Sequence, residues 1–243
     1  MIQAALNGNR SEAWVPKSTV AIVQAAVSSV LEGAGSIHFH VRDEYGAETL
    51  AAKWVDEQLA ALKSQLPHIP LGISTGAWIE PDLEKRLAQL QSWTQLPHFV
   101  SVNFDEPGCH ELARLVSAKG IRIEAGLSNK EAALNFLNTG LQANCIRILL
   151  EPGEQTLGAA ISTVESMEAL LRQSGNSLPM LLHGFDSTCW PLLALAFERG
   201  YETRIGFEDT LVLPDGTKAN TNADLLKAAK AVEGGHLKAG HHK

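Results

Sequence analysis

The sequence predicts a (β/α)8 TIM barrel, and three observations carry that prediction. Short apolar runs alternate with longer segments of helical periodicity, eight times along the chain. No linker or shift in composition interrupts the alternation, and the 243 residues suit one α/β barrel. The strand-like runs are apolar throughout, as parallel strands covered on both faces are. We therefore expect one barrel domain over residues 1–243, with residues 236–243 as a frayed tail.

The eight predicted strands are short apolar runs, most of which carry a polar residue near their end or are followed by one. Their lengths of four to six residues are typical of buried strands. In chain order they are Ile2–Leu6, Ser36–Val41, Leu71–Ser74, Phe99–Asn103, Ile121–Ala125, Cys145–Leu150, Pro179–His183 and Thr203–Phe207.

The helices between these strands show apolar residues at helical spacing, and glycine follows several of them, as at Gly33, Gly120 and Gly200. Pro81 is acceptable in the first turn of its helix. The main alternative is a doubly wound open sheet, but no Gly-x-Gly-x-x-Gly motif opens a helix. The predicted helices are Ser18–Glu32, Leu50–Leu66, Glu80–Trp93, Cys109–Lys119, Lys130–Asn138, Leu157–Gln173, Trp190–Arg199 and Asn222–Val232.

Composition indicates a soluble cytoplasmic protein. The formal net charge of −7 argues against nucleic acid or an anionic membrane as a partner. Three widely spaced cysteines favour neither a disulfide framework nor a zinc ribbon. No apolar run approaches membrane-spanning length, and no signal peptide precedes the first strand.

The second strand carries two histidines, His38 and His40, followed by Arg42 and Asp43. Alternate side chains of a strand share one face, so both imidazoles point the same way. Neutral imidazole is the commonest metal ligand in proteins, although a half-buried, hydrogen-bonded pair is the plain structural alternative. Asp43 is either an acid at the helix entry paired with Arg42 or an anchor for a metal-bound imidazole.

Almost every predicted strand ends on a group that can coordinate, donate or titrate. The carboxyl ends of barrel strands meet at the face where such enzymes carry their chemistry, so these groups predict a shared polar pocket. For any one of them, capping of the next helix is the alternative. They are Asn7, His38, His40, Ser74, Asn103, Glu124, Glu151, His183, Glu208 and Asp209.

A second informative block runs from Arg204 to Asp209 around the end of strand eight. Gly206 permits a close backbone approach there. Glu208 arriving beside the histidines of strand two would complete a two-histidine, one-carboxylate site, and three protein ligands with one open position are typical of a catalytic metal. An ion pair of Arg204 with Glu208 or Asp209 that holds a loop is the alternative.

Together these motifs resemble the β-keto acid cleavage enzyme family, whose best-known type is the 3-keto-5-aminohexanoate cleavage enzyme of lysine fermentation. The resemblance covers nearly the whole chain, and its first and last motifs are the specific ones. The matching segments are Asn7-Gly8, Ser36–Asp43, Ile73–Gly76, Ser101–Asn103, Glu106–Gly108, Glu124–Gly126, Arg204–Asp209, Asp215-Gly216 and Asn222-Ala223.

The resemblance implies a TIM barrel with a divalent metal, usually zinc, held by His38, His40 and Glu208. It implies a reaction of a β-keto acid with acetyl-CoA that yields acetoacetate and a new acyl-CoA. It further implies proton transfer by Arg204 with Asp209, and substrate contacts from Ser74, Asn103 and Glu124. Glu124 would meet an amino group on the substrate, although it could equally pair with Arg10 or Arg147.

Three points stay open on the sequence alone. A metal-dependent hydrolase on the same barrel is the alternative function, since such a metal can also activate water. Arg10 stands where some family members carry an acid, and it either favours an anionic group on the substrate or is simply solvated. Barrels of this class commonly associate, so we expect a homo-oligomer.

Overall fold

Eight parallel strands close into a barrel in the computed structural model, which describes the backbone of residues 1–240 and the side chains of residues 1–235. Each strand pairs with the next along the chain, and β8 returns to pair with β1, which confirms the predicted TIM barrel. The strands are β1 Ile2–Ala5, β2 Ser36–Phe39, β3 Leu71–Ser74, β4 Phe99–Asn103, β5 Arg122–Leu127, β6 Cys145–Leu150, β7 Met180–Leu182 and β8 Glu202–Ile205.

Eight α-helices of the described chain surround the barrel. They are α1 Thr19–Leu31, α2 Ala52–Gln65, α3 Leu83–Ser92, α4 Cys109–Ala118, α5 Lys130–Leu137, α6 Leu157–Gln173, α7 Cys189–Glu198 and α8 Asn222–Gly240. Two short 3-10 turns, Gln142–Asn144 and Asp186–Thr188, precede β6 and α7. Within residues 1–240, no helix combines the length and apolar character that crossing a membrane requires.

Element ends differ from the sequence prediction where side chains decide them. The helix predicted from Glu80 begins at Leu83, because the Asp82 carboxylate caps the Lys85 amide and leaves Pro81 outside the helix. The last helix, predicted to end at Val232, continues through residues 236–240, while the frayed tail over residues 236–243 stays a prediction. Residues 241–243 lie outside the described residues.

The apolar core lies between the strands and the helices, while part of the barrel interior is polar. On β2, Ile37 and Phe39 belong to the core, whereas His38 between them lies with the polar side chains of the interior. Pairing register places Ser101, Glu124 and Arg147 side by side on neighbouring strands. The same alternation that builds the core therefore aligns a polar layer inside the barrel.

Candidate active site

Three side chains converge at the carboxyl end of the barrel. His38 lies in β2, His40 follows its last residue, and Glu208 follows β8. One ligand atom of each lies within 4.8 Å of the others. His38 Nε2 is 3.4 Å from Glu208 Oε2, and His40 Nε2 is 3.3 Å from Glu208 Oε1. The structure thus brings together the two imidazoles and the carboxylate that the sequence placed 168 residues apart, from His40 to Glu208.

Contacts of β1, and of the residues that follow it, with the ends of β2 and β8 produce this convergence. The Asn7 side chain accepts a hydrogen bond from the His40 amide (2.8 Å) and donates one to the His40 carbonyl (2.9 Å), so it continues the pairing beyond the end of β2. A side chain at Gly206 would collide with the carbonyl of Ala5, which explains the glycine there. Gly8, with a φ of +52°, likewise lies against Glu208.

The donor atoms of this cluster fit a metal ion. Within the described residues, His40 Nε2 and Glu208 Oε2 are buried without a hydrogen-bond partner. Buried polar atoms are rarely left unsatisfied, and a missing ion is one of the few explanations. Two imidazole nitrogens and a carboxylate oxygen are the ligand types that zinc takes in catalytic sites. The cluster also faces a cavity of about 500 Å³, which could supply the open position.

Burial and neighbouring charges set the protonation of these three groups. Burial disfavours the imidazolium of His38 and lowers its pKa to about 4, so its ring is neutral near pH 7. Burial acts the same way on His40, but the carboxylates of Glu208 and Glu48 outweigh it and raise that pKa to about 9. Burial works against ionised Glu208, yet Arg204 and the histidines hold its pKa well below the usual range.

Glu48 holds the ring of His40, a role that the sequence reading missed. Its carboxylate makes a short hydrogen bond with His40 Nδ1, which leaves Nε2 turned toward Glu208. The indole of Trp78 donates to the same carboxylate and stacks on His40 with a centroid distance of 6.1 Å. A carboxylate behind an imidazole is the usual second partner of a metal-binding histidine.

Neither role predicted for Asp43 is found. Its carboxylate accepts hydrogen bonds from the amides of Tyr45 and Ala47, both at 2.9 Å, and so stabilises the turn after β2. This turn pairs Arg42 with Glu48 in an isolated antiparallel bridge and thereby delivers Glu48 to His40. The turn signal Asp43-Glu44-Tyr45-Gly46 could have indicated this return of the chain.

Glu124 lies inside the barrel, below the cavity, with no exposed surface. Arg147 Nε is 2.9 Å from its Oε1, which also accepts a hydrogen bond from Gln3 at 2.8 Å. Its Oε2 accepts one from Ser101 at 2.7 Å, and that hydroxyl lies 3.3 Å from His38 Nδ1. Of the alternatives that the sequence left open, the pairing with Arg147 is the one seen, and Ser101 bridges Glu124 to His38.

Arg204 and Asp209 form a buried ion pair beside the cluster. Arg204 donates from Nη2 (2.7 Å) and Nε (3.1 Å) to Asp209 Oδ1, and from Nη2 to Glu208 Oε1 (2.9 Å). Burial raises the pKa of Asp209 to about 7, with Arg204 opposing and Glu208 reinforcing that shift. Arg204 lines the cavity, while Asp209 lies behind it and is fully buried.

Ser74 and Asn103 both line the cavity, at the ends of β3 and β4. The Asn103 amide group donates to Glu106 at 2.8 Å, which holds its orientation. Arg10 also lines the cavity, but its guanidinium is paired with Asp186 at 2.6 Å and is therefore not simply solvated. His183 lies behind the wall, 3.5 Å from both Glu151 and Asp209.

The fold and the site define the class: a (β/α)8-barrel protein with a two-histidine, one-carboxylate centre at the carboxyl ends of its strands. The chain belongs to the beta-keto acid cleavage enzyme family, whose model matches residues 1–235. It is 23% identical over 230 residues to the 3-keto-5-aminohexanoate cleavage enzyme of Fusobacterium nucleatum subsp. nucleatum, covering 88% of this chain and 82% of that protein. The enzyme of the same name from Acetoanaerobium sticklandii is also 23% identical, with the same coverage.

Solved structures show the same fold at lower identity. The ternary complex of ObcA with C4-CoA adduct and oxalate superposes with a TM-score of 0.72 at 16% identity, over 93% of this chain. This chain spans 64% of the length of that protein. Tryptophan synthase subunit alpha from Legionella pneumophila gives a TM-score of 0.61 at 10% identity, covering 97% of this chain and 93% of its own.

Proposed function

We propose that this protein is a metal-dependent enzyme that condenses a β-keto acid with acetyl-CoA, giving acetoacetate and a new acyl-CoA. The observation that carries the proposal is the convergence of His38, His40 and Glu208 beneath a cavity, in a chain of the beta-keto acid cleavage enzyme family. The C4-CoA adduct in the structurally similar ObcA supports a CoA ester as co-substrate.

His38, His40 and Glu208 would hold the divalent ion, for which zinc suits the ligand types best. When bound, the ion supplies a Lewis acid that stabilises negative charge on the keto and carboxylate oxygens of the substrate. Glu48 and the Ser101–Glu124 pair fix the two imidazole rings from behind. The chain therefore contributes three ligands whose orientation is set before substrate arrives.

Arg204 and Asp209 are proposed to transfer the proton. Arg204 occupies Asp209 Oδ1 with two hydrogen bonds, while Oδ2 has no partner among the described residues. The Asp209 carboxylate can therefore hold a proton that Arg204, at the cavity wall, passes to it from the carbon between the two carbonyls. Because Asp209 lies behind Arg204, we assign this step to the pair and not to Asp209 alone. General-base catalysis is typically worth about a hundred- to ten-thousand-fold.

The remaining bonds then change in two steps. The substrate carbanion attacks the acetyl carbonyl of acetyl-CoA, and the thiolate leaves. The thiol then adds to the distant ketone, the original carbon–carbon bond breaks, and acetoacetate departs with a returned proton. Ser74 and Asn103 line the cavity where these oxygens would lie, and their polar groups are suited to orient the substrate.

Metal analysis of the purified protein and a screen of β-keto acids test this function. We expect about one zinc per chain, and acetoacetate formation that requires acetyl-CoA. The control omits acetyl-CoA, because a metal-dependent hydrolase would still consume its substrate there. Absence of acetoacetate with every β-keto acid, from protein that holds metal, contradicts the proposal. Location in the cytoplasm and assembly into a homo-oligomer remain predictions that fractionation and light scattering can check.

A further inference from the structure

One acid of the cavity wall has no role in the chemistry above. Glu151 follows β6 and lines the same cavity as His38, Arg204 and Glu208. Its side chain is 14% exposed. Its carboxylate occupies space that exists because residue 126 is glycine: a side chain on Gly126 would collide with Glu151 Oε1. The carboxylate is therefore built into the wall and faces the reaction space.

The partners of Glu151 are unusual for a carboxylate that is so little exposed. Across the part of the chain that the structure describes, its only ion-pair contact is His183 Nε2 at 3.5 Å, a distance too long for a strong hydrogen bond. His183 is itself fully buried, and neither of its ring nitrogens makes a hydrogen bond of normal geometry among those residues, although a backbone contact with Gly184 acts on the ring. The other charges that act on Glu151 are Arg204, Glu124, Asp105 and Glu208.

We propose that Glu151 is a second catalytic residue, which carries the proton of the CoA thiol between the two halves of the reaction. This inference rests on the proposed function, because it requires acetyl-CoA as co-substrate. Arg204 with Asp209 transfers the proton of the substrate carbon, and Glu151 transfers the proton of the CoA sulfur. Two separate groups therefore transfer two separate protons.

The bonds and protons balance as follows. When the carbanion attacks the acetyl carbon, the carbon–carbon bond forms, the carbon–sulfur bond breaks, and sulfur takes the proton of Glu151. In the second half, sulfur returns this proton to Glu151 as it bonds to the distant ketone carbon. The original carbon–carbon bond then breaks, and the released carbanion takes the proton held by Arg204 with Asp209. Glu151 ends as it began, protonated.

The environment supports such a carrier. Burial raises the pKa of Glu151 to about 8, although Arg204 opposes the shift. Thiols are weak acids, the cysteine side chain titrating at about pH 8.5, and a catalytic acid is most efficient when its pKa lies near the operating pH. His183 has its pKa lowered well below the usual range, by burial and by Arg204, so it is neutral and can accept a hydrogen bond from protonated Glu151.

Acetoacetate allows a test that does not require knowledge of the natural substrate. With acetyl-CoA labelled in its acetyl group, the proposed reaction exchanges label into acetoacetate. Hydrogen exchange at the central carbon of acetoacetate in D2O reports the first proton transfer alone. We expect Glu151→Gln to keep hydrogen exchange within about two-fold and to lose label transfer by about a hundred-fold or more.

A thioester with a more acidic thiol sharpens the test. An acetyl ester of an aromatic thiol needs no proton on its leaving group, so Glu151→Gln should lose much less of its rate of thiol release with this ester. Equal loss with both esters, or loss of hydrogen exchange as well, would overturn the inference. If the unaltered protein shows no hydrogen exchange, the proposed function itself fails.

Glu154→Gln is the matched control. Glu154 lies in the same loop, and its carboxylate accepts a hydrogen bond from Thr163 at 2.5 Å, outside the cavity. The variant makes the same carboxyl-to-amide change without touching the reaction space, so both exchange rates should match those of the unaltered protein. A loss there equal to that of Glu151→Gln would attribute the effect to the loop and contradict the assignment to Glu151.

Discussion

Two clusters of buried charged residues lie one above the other in this barrel, a lower one around Glu124 and an upper one around Glu208. They differ in how their polar atoms are paired. In the lower cluster, Glu124 receives hydrogen bonds from Gln3 and Ser101 and an ion pair from Arg147, which also binds Glu202 at 2.6 Å. In the upper cluster, several polar atoms lack a partner among the described residues. They are His40 Nε2, Glu208 Oε2, Asp209 Oδ2 and both ring nitrogens of His183.

The difference separates a structural cluster from a site. Both clusters have the desolvation cost of buried charge, which partners must offset. In the lower one the protein supplies a partner to both carboxylate oxygens of Glu124. Gln3 Oε1 and Arg147 Nε lack a hydrogen bond within the described residues, but neither side chain lines the cavity. In the upper one the unsatisfied atoms of His40 and Glu208 belong to residues that line the cavity, and those of Asp209 and His183 lie behind its wall, as expected where an ion and a substrate complete the set. The following changes test this contrast in order of expected effect.

His38→Ala should have the largest effect because it removes a ligand of the proposed metal. We expect loss of bound zinc and a fall in turnover of about a thousand-fold or more, since metal stabilisation of charge is worth several kcal/mol. Metal analysis together with the acetoacetate assay measures both. Full zinc content in this variant would show that the upper cluster is not the metal site. A chelator applied to the unaltered protein should reproduce the loss, and added zinc should restore activity.

Asp209→Asn separates proton transfer from metal binding. We expect unchanged zinc content and a fall in turnover of about a hundred- to ten-thousand-fold, because the amide keeps the shape of the pair but cannot accept a proton. Hydrogen exchange into acetoacetate should fall by the same factor. If the variant keeps its hydrogen exchange, Arg204 with Asp209 is not the base.

Glu48→Gln tests the orientation of His40. The amide can still occupy the space but holds the ring less firmly, so zinc affinity should fall by about ten- to a hundred-fold. Competition with a zinc chelator gives the affinity directly. Thr19→Val is a suitable control, since its hydroxyl bonds Glu57 on the surface, away from the cluster. Equal affinity in Glu48→Gln and the unaltered protein would leave Glu48 only a packing role.

Glu124→Gln should affect stability more than turnover. It leaves Glu202 as the acidic partner of buried Arg147, beside a hydrogen bond to Ser36, and breaking a buried pair costs about 3–5 kcal/mol of the free energy of unfolding. Arg147 and His38 hold the pKa of Glu124 below its usual 4.5 against the effect of burial. The lost stability should therefore be complete above pH 4.5 and shrink as the pH falls through the lowered pKa.

Urea unfolding at several pH values measures that dependence. A stability difference that grows at acidic pH would refute the structural role. A large rise in the KM for β-keto acids with an amino group, at unchanged stability, would instead support the substrate contact that the family resemblance implied.

Arg10→Ala should have the smallest effect on stability. Its partner Asp186 is 58% exposed, and pairs of this kind contribute no more than about 1 kcal/mol. Thermal unfolding at low and high salt measures the contribution of the ion pair, which should shrink at high salt, while the hydrogen bonds of Arg10 to the carbonyls of Glu208 and Asp209 remain. A loss of stability as large as that of Glu124→Gln would mean that the Arg10–Asp186 pair behaves like the buried clusters, contrary to our conclusion.

Much of the fold and of the candidate site could be predicted from the sequence, because strand periodicity and motif spacing are local properties. His38 and His40 belong to one strand, so their shared face follows from geometry alone. Glu48 was missed because its approach to His40 depends on a turn eight residues later, from position 40 to 48. The place of Glu124 was uncertain because the strand pattern allowed it to meet Arg10, Arg147 or a substrate. The pairing register of β5 and β6 places Arg147 beside Glu124 and so decides among these partners.

The sequence by itself determined the order of eight strand–helix units, the polar strand ends and the family to which the chain belongs. These depend on hydrophobic period and on residues that are neighbours along the chain. The tertiary structure decided which of the buried polar groups are satisfied, because that depends on strands that meet only when β8 closes against β1. Closure sets Glu208 against two imidazoles and leaves Glu151 facing the cavity.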